Sequence, residues 1–124
     1  MPKYANNRMF TLNDPYALRI NKELAMEIGF NESIVLLQFE YLIGISNNWR
    51  DGWKWTYQSL TDLQKEFFPW WSRDTINRTI QNLVGKGLLI VGNYNRHRYD
   101  RTRWFRLDED GCDALQSITM RRVG

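Results

Sequence analysis

Ser72, Arg73, Thr75, Asn77, Arg78 and Gln81 crowd one short run of the chain, and Arg96, Arg98, Arg101 and Arg103 crowd another. Neither run pairs a nucleophile with a base, and neither holds the carboxylate pair, that bond-making chemistry needs. What these side chains offer is hydrogen-bond donation in fixed geometries. Arginine pairs bidentately with guanine or with a phosphate, asparagine and glutamine pair bidentately with adenine, and small hydroxyls serve either purpose. The chemistry is therefore recognition, and the target it fits is a DNA duplex.

The remaining reactive groups are too few or too scattered for catalysis. His97 is the one histidine and Cys112 the one cysteine, and they lie apart in sequence. Neither has the partners of a metal site or of a nucleophile and its base. Gly85-Lys86-Gly87 lacks the upstream glycine and the following Ser or Thr of a phosphate loop. No enzyme activity, metal or cofactor is expected.

For the first run to face a partner it must lie on a helix. Ser72 is a good N-cap, Ile76, Thr79, Ile80 and Leu83 recur on one side, and Gly87 suits a left-handed exit. The opposite side then carries Asp74, Asn77, Arg78, Gln81 and Asn82. A shorter helix should precede it, capped by Ser59 with Asp62 three residues on, carrying Leu60, Leu63 and Phe67 inward and stopped by Pro69. The second run must lie on a hairpin. Residues 88–93 are apolar and β-branched, residues 102–107 alternate like a half-buried strand, and the polar segment 94–101 joins them. These expectations amount to an α+β, mostly helical winged helix-turn-helix with a small antiparallel wing. Its helix-turn-helix spans 59–87, its wing 88–107, and a short C-terminal helix 108–119. A salt-bridged tip, with Asp100 neutralising the arginines, is the competing picture of the wing.

The residues of this stretch resemble a known family. Phe68-Pro-Trp-Trp-Ser-Arg-Asp-Thr-Ile-Asn-Arg-Thr-Ile80, then Leu83, Gly87-Leu-Leu-Ile90, Asn95 and Asp100-Arg-Thr-Arg-Trp-Phe105 look like the N-terminal winged-helix domain of phage and mobile-element replication proteins, the replisome-organiser and DnaD-like primosomal group. The resemblance implies duplex binding at an origin through Arg73, Thr75, Asn77, Arg78 and the wing arginines, with replication proteins as partners. The chain ends soon after the wing, so the helical module with which that family recruits helicase machinery is expected to be lacking. A transcriptional regulator on the same scaffold and a winged helix docking an acidic protein are the rival functions.

Charge distribution agrees with a duplex partner. The chain has 124 residues and a net charge of +3, yet residues 68–106 hold eight Lys/Arg against two Asp/Glu while the flanks are slightly acidic. A localised basic patch is the footprint of a phosphate backbone. The length suits one domain, residues 16–124, behind a polar arm 1–15 from which Lys3 and Arg8 could reach DNA. No apolar run reaches the roughly 20 residues of a membrane helix, and the N-terminus has no signal-peptide core, so a cytoplasmic protein is expected. A single cysteine fits a reducing compartment.

The supporting elements can be expected in order. Residues 16–20 suit a short strand beside the wing sheet. Asn21 should cap a helix running to Ile28 and closed by Gly29, and Asn31 a second one, with Phe30 stapled onto Val35. From Glu32 to Ser46 that second helix is apolar nearly all round, and either the domain or a second copy in a homodimer must cover it. Asp51-Gly52 reads as a turn leading into a strand beside the wing. The six tryptophans are expected in core and hinge positions, with stacking on unpaired bases as the alternative. In the last helix Leu115 and Ile118 should face inward, and Arg121-Arg122 should fray.

Overall fold

Three of the helices start where a short polar side chain can take an orphan backbone N–H. In the computed structural model, which describes residues 17–123, Asn21, Ser59 and Ser72 each accept a bond from the amide three residues on, at 3.0, 3.0 and 3.1 Å. They open α1 (Lys22–Ile28), α3 (Leu60–Glu66) and α4 (Arg73–Gly85). Between them come α2 (Phe30–Ile45) and the hairpin β1 (Asn48–Arg50) and β2 (Trp53–Gln58). The hairpin β3 (Leu89–Gly92) and β4 (Arg103–Leu107) follows, then α5 (Glu109–Val123). The result is α+β, with five helices and one four-stranded antiparallel sheet in the order β1-β2-β4-β3 among the described residues. No single described helix is long and apolar enough to cross a membrane.

The core lies between the helices and one face of the sheet. Val35 and Phe39 of α2 meet Leu63 of α3, Phe68 of the turn after it, Ile76, Ile80 and Leu83 of α4, and Leu89 and Phe105 from the sheet, all essentially solvent-free. The Phe39 and Phe105 ring centroids are 4.5 Å apart. Each such side chain contributes roughly 1.5–3 kcal/mol by leaving water. The inward stripe of α4 is thus the one its spacing predicts, and that fixes which stripe faces out.

Several expectations need correction. Residues 17–20 form no strand. Asn31 does not cap α2, because Gly29 is shared by both helices: it closes α1, and its carbonyl accepts the Ser33 amide at 2.9 Å, so α2 is already under way at Phe30. Gly29 has φ 109° and ψ 152°, a region that only glycine enters cheaply, and the chain bends by 118° there. Phe30 consequently points outward, 56% exposed, and makes no staple. Cover for α2 within the domain comes from α1, α4, β2 and β4. Residues before the Asp51-Gly52 turn form a strand of their own, β1, with φ 55° and 81° at the two turn positions as a tight two-residue hairpin requires. Ile118 is partly exposed, and α5 runs on to Val123 instead of fraying at Arg121. The polar arm 1–15, with Lys3 and Arg8, lies outside the described residues.

Candidate nucleic-acid interface

The turn that presents α4 is built from Phe68. Helix α3 stops at Glu66, and the Phe67 and Phe68 amides both close onto the Leu63 carbonyl at 3.1 and 2.9 Å. Phe68 then drops into the core, with the Trp71 ring 5.3 Å from its own. Gln64 reaches across from α3 to donate to the Trp71 carbonyl at 2.9 Å, which fixes the approach to Ser72. At the other end, Gly87 (φ 73°) lets the Leu88 amide close onto the Leu83 carbonyl at 3.0 Å. Helix α4 is therefore clamped at both ends and along its buried face.

Its outward side chains differ in freedom. Arg78 and Gln81 are exposed, and Arg78 makes only a long 3.5 Å contact with the Thr75 hydroxyl. Arg73, also exposed, touches the Thr61 hydroxyl on α3 at 3.4 Å. Ser72 is occupied as the cap, its hydroxyl 3.1 Å from that of Thr75. Thr75 and Asn77 are half-buried. Asn77 is engaged: its side-chain carbonyl accepts from Arg103 at 2.7 Å. This bond joins α4 to β4 and leaves the Asn77 amide N–H groups as its outward donors. Sequence spacing placed Asn77 on a helix and Arg103 on the wing without linking the two, because a pairing 26 residues apart leaves no local trace.

The loop between β3 and β4 is held by one asparagine. Asn95 donates to the Asp100 and Thr102 carbonyls at 3.1 and 2.6 Å and accepts from the Trp104 indole at 2.9 Å. The Asp100 carboxylate accepts from the Thr102 amide at 2.9 Å, and that bond holds its pKa below the usual carboxylate value. Asp100 is thus spent on the turn, and among the described residues no arginine of the loop pairs with it or with any other carboxylate. The salt-bridged tip is not what forms. Arg96, Arg98 and Arg101 are exposed, as is Tyr99 (80%), against whose hydroxyl Arg98 donates at 2.8 Å.

Helix and loop converge on one cleft. Ser59, Thr61, Arg73, Asp74, Arg101 and Arg103 border a cavity of about 350 Å³ at the starts of α3 and α4. Three arginines against one aspartate make it basic, and the N-terminal turn of α4 adds its own partial positive charge. Ser59 and Thr61 were not among the expected contact residues, although the cap signal at Ser59 marked the place where the chain turns toward the cleft.

No family model, curated protein or solved structure matches this chain. Cys112 is half-buried with its thiol 3.5 Å from the Leu88 carbonyl, and burial, aided by Asp108, pushes its pKa up to about 11. A thiol so hard to ionise is a poor nucleophile and a poor metal ligand. His97 is exposed on the loop.

Proposed function

We propose that this chain is a winged helix-turn-helix domain that binds double-stranded DNA, acting in initiation of replication of a phage or mobile element. Helix α4 enters the major groove with Arg78, Gln81 and the free donors of Asn77 toward base edges, while Ser72, Arg73 and Thr75 meet phosphates. The β3–β4 loop is the wing. Its Arg96 and Arg98 grip the neighbouring backbone or minor groove, and Arg101 and Arg103 hold the phosphate that enters the cleft.

The observation that carries this reading is the basic cleft in which Arg73 from the first turn of α4 meets Arg101 and Arg103 from the second hairpin, none of the three in an ion pair among the described residues. The order of elements supports it as well: a core helix, a strand, two helices around a tight turn, then a hairpin that pairs back onto that strand as β2-β4-β3. Support for a replication role, and for replication proteins as partners, is the sequence resemblance across residues 68–105.

Salt dependence tests the reading. Anisotropy of a labelled random-sequence duplex, titrated at about 50 mM and about 200 mM salt, should show binding that weakens steeply as counterions are released. Absence of binding at both salts would reject the duplex and favour a protein partner for the basic face.

A further inference from the structure

The sheet has a second face, turned away from the helices, and its composition is unlike that of an ordinary solvated sheet. Strand alternation brings Trp53, Trp55 and Tyr57 of β2 to this side together with Arg50 of β1 and Trp104 and Arg106 of β4. Trp55 and Trp104 form a floor, only 4% and 6% exposed. Both are pinned: the Trp55 indole donates to the Arg50 carbonyl at 3.0 Å and the Trp104 indole to Asn95. Tyr94 stands edge-on to both at 5.2 and 5.3 Å, and its hydroxyl donates to the Asp51 carboxylate. Trp55 lies so close over Gly92 that a Cβ there would come within 2.8 Å of the ring.

On this floor sit groups that burial does not account for. Tyr57 is 47% exposed with its ring 5.1 Å from Trp104, and Trp53 is 37% exposed. The Arg106 guanidinium lies 4.1 Å from the Trp53 centroid and that of Arg50 lies 5.1 Å from Trp104. Neither arginine pairs with a carboxylate among the described residues; their hydrogen bonds go to the Trp49 and Leu107 carbonyls. The face is thus an aromatic platform carrying two arginines that form no ion pair among the described residues, beside the one carboxylate, Asp51, that Tyr94 holds. Its complement is a ligand with planar π surfaces and repeated negative charge, which is unpaired nucleobases on a sugar-phosphate strand.

We propose that this outer sheet face binds single-stranded nucleic acid, with bases stacking on Tyr57 and on the Arg106–Trp53 pair and a phosphate on Arg50. The site is separate from the duplex surface and does not rest on it. The test is a titration of the whole chain with labelled oligothymidylate and, in parallel, oligouridylate, since the stacked base and the phosphate are common to both. Tyr57→Ser should weaken single-strand binding roughly 5- to 150-fold, the usual worth of one stacked base. Tyr57→Phe should restore it, and Arg78→Ala should leave it unchanged. Loss of duplex binding in Arg78→Ala reports on the other surface, so the two readings fail separately. Failure of the wild-type chain to bind either oligomer, or equal affinity of Tyr57→Ser, would overturn the proposal. So would concentration-dependent self-association in sedimentation velocity that Tyr57→Ser abolishes, which would assign the face to a second copy of the chain.

Discussion

The two hairpins of this sheet spend their loops differently. Between β1 and β2 the chain turns in two residues, Asp51 and Gly52, and the Asp51 carboxylate is taken up by Tyr94. Between β3 and β4 it wanders through residues 93–102, where Asn95 and Asp100 suffice to hold the backbone and the arginines are left unpaired. A turn needs few residues, so side chains beyond that need are available to something outside the chain. The short turn is used up in packing; the long loop carries charge on a backbone whose hydrogen bonds do not involve that charge.

That contrast can be broken by mutation. Trp55→Ala removes the largest buried side chain of the short hairpin and should destabilise the domain by about 3–5 kcal/mol in urea denaturation. A cost below about 1 kcal/mol would mean that the aromatic floor is not structural. Asn95→Ala should cost about 1–3 kcal/mol, because it leaves the Trp104 indole and the Thr102 carbonyl without their partner. It should also weaken duplex binding by loosening the loop. Arg101→Ala should change stability by less than about 0.5 kcal/mol yet lower the slope of log affinity against log salt by about 1. A large stability change there would show that the loop charges serve folding after all.

The smallest effect concerns pH at the inner end of the long hairpin, where Cys112 meets the Leu88 carbonyl. The thiol pKa is raised in the fold from 9.0 to about 11, so its protonated form is the one the fold favours. The contribution to stability is complete below the unfolded pKa and is lost as pH rises through 9 toward 11. At pH 8, iodoacetamide should label the folded chain far more slowly than the urea-unfolded chain, by a factor of about 100 in thiolate population. Equal labelling rates would contradict that burial.

Much of this arrangement was legible in the sequence where its cause is local. Ser59 and Ser72 bond amides three residues away, and Ile76, Ile80 and Leu83 recur at a helical period, so both helices and the outward face of α4 follow from neighbours in the chain. Residues 94–101 were marked as a loop by polarity alone. The misses have non-local or competing causes. Asn31 is a good cap by type, but Gly29 had already begun the helix by opening a bend that no side chain could follow. Strand β1 is three residues long and exists because β2 is there to pair with it. The Asn77–Arg103 bond and the fit of Trp55 over Gly92 depend on strand register, which spacing does not encode. The apolar circumference of α2 correctly signalled burial without indicating whose surface provided it.

Arg78 is the most direct probe of DNA contact by α4, because it is exposed and makes only a long contact with the Thr75 hydroxyl of its own helix. A duplex selected by the wild-type chain from a random pool should bind Arg78→Ala more weakly by about 1–3 kcal/mol, with urea stability unchanged. Equal affinity of the two proteins for that duplex would contradict the account.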